Sequence, residues 1–248
     1  IIRENVCRGK FRDTDRPVLI NNWEATYFNF NQDKILSLAE KAKTIGVELM
    51  VLDDGWFGKR DGDNCSLGDW VVDKKKLPDG LESLCKKVNE LGMQFGLWFE
   101  PEMVCMESKL YAKHPDWMIQ MPGRTPCPSR NQYVLDMSNP DVVEYVWKML
   151  SDVLHSASIN YVKWDMNRSL SDLGSSYLPT ERQGELTHRY MLGVYELQER
   201  LITEFPELLL ENCSSGGARF DPGMLYYSPQ IWCSDDTDGI ERLGIQEG

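Results

Sequence analysis

The sequence is poor in several things, and each shortage removes a class of function. It contains no apolar run near the roughly 20 residues that a membrane-spanning helix needs. Its 248 residues carry 27 Lys and Arg against 39 Asp and Glu, a net charge of −12. A surface of that sign does not neutralise phosphates, so no nucleic-acid partner is expected, while a neutral ligand is not repelled. Histidine is scarce. His114, His155 and His188 stand far apart, with no HxxxH or Cys/His metal spacing, so no metal is expected. The seven cysteines are odd in number and form no CxxC pair. That argues against a disulfide framework and for a reducing, cytoplasmic compartment. Neither GxxxxGKS/T nor GxGxxG occurs, so no nucleotide cofactor is expected, and Gly216-Gly217 alone is too weak a signal. The opening Ile1-Ile2-Arg3-Glu4-Asn5 lacks both a signal-peptide pattern and an initiating Met, as expected of a chain whose true N-terminus is missing.

What is present is an alternation of strand and helix. Pro17 to Asn22 reads as a buried strand. Asn31 can cap a helix with Ile35, Leu38, Ala39, Ala42 and Ile45 on one face and Gly46 as its stop. Val47 to Asp53 is the second strand. A helix carrying Leu81, Leu84, Cys85, Val88 and Leu91 stops at Gly92, and Phe95 to Phe99 is the third strand. A short helix falls near Lys109 to His114, and Tyr133 to Asp136 reads as a fourth strand. Asn139-Pro140 then starts a helix with Val142, Val143, Val146, Trp147 and Leu150 inward. Asn160 to Asp165, Leu208 to Asn212 and Gln230 to Cys233 are the fifth, sixth and seventh strands, with a helix over Thr187 to Phe205 between the first two. Seven strands at this spacing, in a chain near the ~250 residues of one α/β barrel, predict a (β/α)8 TIM barrel. A doubly wound open sheet is the alternative. The chain stops at Gly248 within the expected seventh helix, so residues 1–248 are expected to be a single barrel domain lacking its last strand.

Carboxylates sit at almost every strand's carboxyl end, where such barrels place their sites. They are Asp53 and Asp54, Glu100 and Glu102, Asp136, Asp165, Glu211, and the cluster Asp235, Asp236 and Asp238. Aspartate is common at strand ends and helix caps, so no single one is decisive; the joint pattern converges on one mouth. Trp23, Trp56, Trp98, Trp164 and Trp232 recur beside them. A pyranose offers a ring of this kind an apolar C–H face, and its hydroxyl edge suits acids and amides. Side chains alternate along a strand, so an inward Asp165 brings Lys163 and Asn167 with it and turns Trp164 and Met166 outward. A lysine nearby would hold Asp165 ionised, as a carboxylate nucleophile must be. Glycoside cleavage needs a second carboxyl group that starts protonated, and Ser234-Asp235-Asp236-Thr237-Asp238 offers three candidates, one of which crowding should raise in pKa.

These residues carry a specific resemblance. Asn22-Trp23-Glu24-Ala25-Thr26-Tyr27, Leu52-Asp53-Asp54-Gly55-Trp56-Phe57-Gly58 and Gly96-Leu97-Trp98-Phe99-Glu100-Pro101-Glu102-Met103 match one family in order. So do Lys163-Trp164-Asp165-Met166-Asn167-Arg168, Glu211-Asn212-Cys213-Ser214-Ser215-Gly216-Gly217 and Trp232-Cys233-Ser234-Asp235-Asp236-Thr237-Asp238. The chain resembles the catalytic domain of family 36 glycoside hydrolases, the bacterial and fungal type of α-galactosidase. The resemblance implies a retaining enzyme acting on terminal α-linked galactose, with Asp165 as nucleophile and Asp235 as acid/base. It implies that Asp53 and Asp54 hold the sugar's C4 and C6 hydroxyls, that Lys163, Asn167, Cys213 and Gly216 surround the ring, that Arg130 makes a polar contact, and that Trp23 and Trp98 wall the pocket. It implies a small oligosaccharide as partner, no cofactor, no membrane, and a homo-oligomeric full-length protein with β-domains on both sides of the barrel. Two other readings use the same residues: a galactosyl transferase of the raffinose-synthase type, and a non-catalytic sugar-binding barrel fragment. Cys213 near the sugar's C2 leaves N-acetylgalactosamine open as a substrate.

Overall fold

Leu49-Met50-Val51-Leu52 has no polar residue, and all four side chains are buried. A run like this suits a strand covered on both faces, the habit of parallel sheets. The computed structural model describes residues 1–247. Among them it contains β1 (Leu19–Asn21), β2 (Leu49–Leu52), β3 (Gln94–Phe99), β4 (Met103–Val104), β5 (Tyr133–Val134), β6 (Tyr161–Trp164), β7 (Leu209–Asn212) and β8 (Gln230–Ile231). Six of these form one curled parallel sheet in the order β1-β2-β3-β6-β7-β8.

The expected seven-stranded count is therefore corrected to six. Tyr133–Val134 leaves the main sheet and pairs antiparallel with Met103–Val104. The physical reason is that β3 has no free edge to offer: Gly96 to Phe99 pair directly with Tyr161 to Trp164. The remainder of the expected fourth strand ties to side loops instead, with the Leu135 and Asp136 amides donating to the carbonyls of Glu102 and Trp117.

The helices are α1 (Ile2–Asn5), α2 (Trp23–Thr26), α3 (Gln32–Thr44), α4 (Gly80–Glu90), α5 (Lys109–Lys113), α6 (Pro140–His155), α7 (Leu186–Glu204), α8 (Pro222–Tyr227) and α9 (Glu241–Glu247). Their starts follow the sequence signals. Asn31 Oδ1 accepts from the Lys34 amide at 2.9 Å, and Asn139 Oδ1 accepts from the Asp141 amide at 3.0 Å. On α6 the apolar face of Val142, Val143, Val146, Leu150, Val153 and Leu154 is buried. Each such side chain contributes about 1.5–3 kcal/mol before chain entropy is subtracted. No helix among the described residues is long and apolar enough to cross a membrane.

The register builds the sheet's concave face in rows. Val51, Gly96, Tyr161 and Leu209 lie side by side across four strands. Leu49, Val51, Tyr161 and Leu209 form a separate apolar cluster, against which Leu19 and Phe11 pack. Gly96 makes this row possible: a Cβ there would sit 2.6 Å from Tyr161 Cδ1. One step toward the carboxyl ends, the next row is polar. Trp98, Lys163, Glu211 and Gln230 are register partners. An apolar floor beneath a polar layer is what aims the functional groups at the carboxyl end of the sheet.

Candidate active site

Asp165 follows β6 directly and is buried, at 5% exposed. Three N–H groups converge on its carboxylate. Trp98 Nε1 donates to Oδ2 at 3.1 Å, Asn167 Nδ2 to the same oxygen at 2.8 Å, and the Met166 amide to Oδ1 at 2.8 Å. The expected alternation holds. Lys163, Asp165 and Asn167 share the concave side, whereas the Trp164 indole turns outward and donates to Glu102 Oε1 at 2.8 Å.

Lys163 is directed differently from the expectation. Its Nζ pairs with Asp53 Oδ2 at 3.2 Å, with both side chains largely buried. Burial alone would lower the Lys163 pKa; the Asp53 carboxylate, with Asp165 and Glu211 behind it, raises it above an ordinary lysine. The lysine thus neutralises Asp53 first. Asp53 is further held by the Asn21 side-chain amide on Oδ2, and its Oδ1 accepts from the Asp54 amide at 2.8 Å.

Asp54 is clamped by Arg60, which lies six residues further on. The guanidinium donates through Nε at 3.0 Å and 3.2 Å to the two oxygens and through Nη2 at 2.9 Å. Burial works against the Arg60 charge, but Asp54 outweighs it and holds the guanidinium above its ordinary pKa. Asn21 and Arg60 were not singled out by sequence reasoning. The first had a signal, since period-two alternation from Leu19 puts Asn21 inward. The second had none, because loop spacing says nothing about burial.

A cavity of about 920 Å³ opens above these groups. Trp23, Asp53, Asp54, Trp98, Arg130, Lys163, Asp165, Asn167 and Asp235 all line it. Cys213 and Gly216 do not; they lie just behind the wall. Cys213 is buried with its thiol pushed up in pKa by burial and by Asp165. Gly216, at φ 96°, lies so close to the chain after β8 that a Cβ would be 3.2 Å from Ser234 Cα. Half-buried Trp23 packs edge-on against Tyr27 and Phe28 at the rim. Arg130 is partly exposed, sits at φ 51° and reaches Asp63 at 3.7 Å.

Asp235 is exposed on the loop after β8. Its Oδ1 accepts from Trp232 Nε1 at 2.7 Å. The Trp232 ring has Lys163 Nζ 5.7 Å away and Arg242 Cζ 5.0 Å away from its centroid. In the same cluster, the Asp238 carboxyl is held below its ordinary pKa by the amides of Glu241 and Ile240 that donate to it.

Two further carboxylates lie deeper. Glu100 Oε1 accepts from Gln132 Nε2 at 2.6 Å and from the Asn167 amide at 2.5 Å. Burial, then the charge of Asp165, push its carboxyl up to about 8. Glu102 is fully buried and takes Arg219 Nη2 at 2.8 Å, Trp164 Nε1 and the Tyr190 hydroxyl. Arg219 Nε in turn donates to Ser214 Oγ at 2.8 Å, tying the loop after β7 to the loop after β3.

A carboxylate-rich, tryptophan-walled cavity at the carboxyl ends of parallel strands defines the class: an α/β domain built on a curled six-stranded parallel sheet, with its candidate site in the strand-end loops. The particular lineage follows from comparison with known proteins. The melibiase family model matches residues 1–248, and the chain belongs to that family. It is 58% identical over 248 residues to the α-galactosidase AgaA of Geobacillus stearothermophilus and 57% identical to the α-galactosidase Mel36A of Lactobacillus acidophilus. Each match covers 100% of this chain and 34% of the relative, so the chain spans about a third of the length of these curated relatives. The crystal structures of AgaA variants in complex with raffinose and with stachyose superpose with a TM-score of 0.97, covering 99% of this chain and 34% of theirs.

Proposed function

We propose that this chain is the catalytic domain of a retaining α-galactosidase that removes terminal α-linked galactose from small oligosaccharides of the raffinose type. The observation that carries the reading is Asp165: a buried carboxylate facing the cavity, aimed by three N–H groups, beside a lysine already committed to Asp53. In this reading Asp165 attacks the anomeric carbon while Asp235 protonates the departing oxygen. Asp235 then takes a proton from water, which displaces Asp165 and releases galactose with its α configuration kept. Asp53 and Asp54 accept from the sugar's C4 and C6 hydroxyls. Their existing donors fix the direction of the remaining lone pairs, which is what tells an axial hydroxyl from an equatorial one. Trp23 and Trp98 cover the apolar face of the ring, and Arg130 meets the next sugar. Cys213, set behind Asp165, acts through packing rather than contact. The six parallel strands belong, in the same reading, to an eight-stranded barrel, which takes two more strands rather than one.

The test uses the complete native polypeptide. Asp165→Ala is expected to abolish hydrolysis of an aryl α-galactoside; activity within about tenfold of the parent would refute the nucleophile assignment, since losing a nucleophile costs orders of magnitude more. Asp235→Ala with azide is expected to give α-galactosyl azide, the product of azide attack with inversion on a β-galactosyl ester of Asp165.

A further inference from the structure

Glu100 has no place in the mechanism just described. It does not line the cavity, it is 1% exposed, and a buried glutamate demands an explanation. Its surroundings supply one. Glu100 Oε1 accepts the Asn167 backbone amide at 2.5 Å, and the side chain of that same residue donates from Nδ2 to Asp165 Oδ2 at 2.8 Å. Asn167 Oδ1 is filled by Ser215 Oγ at 3.0 Å, so its amide group has one orientation and the NH2 must face Asp165. On the other side, Gln132 Nε2 donates to Glu100 Oε1 at 2.6 Å and holds the carboxyl from the side ribbon. Trp98, the second side-chain donor to Asp165 Oδ2, lies on β3, two residues before Glu100, which follows the strand directly. Both side-chain donors to one oxygen of Asp165 are thus referenced to the end of β3. One reaches it through the strand itself and the other through Glu100.

We propose that Glu100 is a positioning residue for Asp165: by gripping the backbone of Asn167 it holds the Asn167 amide against one carboxylate oxygen and leaves the other directed at the anomeric carbon. This rests on the reading of Asp165 as nucleophile. The Glu100 carboxyl lies at about 8, raised by burial and by Asp165, so it is neutral at pH 6 and places no second negative charge beside the nucleophile. A glutamine there keeps both the acceptor oxygen and the neutrality.

The experiment is steady-state kinetics at pH 6 on an aryl α-galactoside, in the complete native polypeptide. Misplacing a reacting group by about 1 Å costs on the order of 100-fold. Glu100→Ala is therefore expected to lower kcat about 100-fold with KM within about threefold, the signature of an interaction that serves the transition state rather than binding. Glu100→Gln is expected to recover kcat to within about fivefold of the parent, since only the acceptor role is retained. Should Glu100→Ala not fold, Glu100→Asp keeps a buried acid but draws it back by one methylene, and it is expected to show the same split. Glu100→Ala combined with Asn167→Ala is expected to fall no more than about threefold below the worse single variant, because the two act as one unit. Three results would overturn the proposal: kcat unchanged in Glu100→Ala or Glu100→Asp, Glu100→Gln as impaired as Glu100→Ala, or fully additive losses. Asp165→Ala separates the two readings. If it stays active, the nucleophile assignment fails whatever Glu100 does; if it is dead while Glu100→Ala and Glu100→Asp turn over normally, only the role of Glu100 fails.

Discussion

Replacing Lys163 by methionine removes the only cation paired with Asp53 among the described residues, in a layer where both side chains are nearly out of water. Methionine fills much the same volume, so the loss is electrostatic rather than a cavity. Breaking a buried ion pair from one side costs about 3–5 kcal/mol, because the remaining charge stays buried without compensation. For a domain of this size each kcal/mol corresponds to about 2–4 °C, so Lys163→Met is expected to lower Tm by roughly 6–20 °C. Thermal unfolding followed by circular dichroism measures this directly. The pH dependence has a definite sign. Folding raises the Lys163 pKa, so the pair's contribution is fully present below the unfolded lysine value of about 10.4 and is lost as pH climbs through the native value. Between pH 6 and 9 the deficit of the variant should be flat. Adding Asp53→Asn removes the stranded charge and should return about 2–3 kcal/mol, a coupling within the range for contacting pairs. A Tm change under about 2 °C in the single variant, or no recovery in the double, would refute the claim that Asp53 and Lys163 neutralise each other.

Other expectations follow from single contacts. Gly96→Ala places a methyl 2.6 Å from the Tyr161 ring and should destabilise by about 1–3 kcal/mol in urea titrations. Arg219→Met strands Glu102 beside Trp164 and Tyr190 and should cost about 3–5 kcal/mol by the same measurement; a cost under about 1 kcal/mol would mean that Glu102 is not charged there. Trp232→Phe takes away the N–H donor of Asp235. On the α-galactosidase reading proposed above, it should lower kcat/KM for raffinose in the complete polypeptide about tenfold, the equivalent of one hydrogen bond. The loss should be smaller for an aryl galactoside whose leaving group needs no proton, and equal losses on both substrates would count against an acid role for Asp235.

Much of this layout was legible in the sequence because strands and helices impose periods. The inward set Lys163, Asp165 and Asn167 and the outward Trp164 follow from alternation alone, and the helix starts at Asn31 and Asn139 follow from capping chemistry. Partners were less legible than faces. Period two puts Lys163 on the concave side but cannot say that it meets Asp53, 110 positions away, rather than its neighbour two positions on. Tyr133–Asp136 has the composition of a strand, yet strand composition carries no information about which edge is vacant, and β3 had none to offer. Arg60 reads as a surface charge in a polar loop; only the folded loop turns it under Asp54. Nine of the eleven residues expected at the site line the cavity, and the two exceptions, Cys213 and Gly216, miss it by standing one layer back.

The row of Val51, Gly96, Tyr161 and Leu209, with Phe11 packed against it, has a consequence for traffic. Leu49, Val51, Tyr161 and Leu209 are each at most 1% exposed, so nothing passes between them. Water and solutes therefore reach Asp53, Lys163 and Asp165 from above this row and not through it. On the reading proposed above, whatever departs from Asp165 leaves on the side from which its replacement arrives.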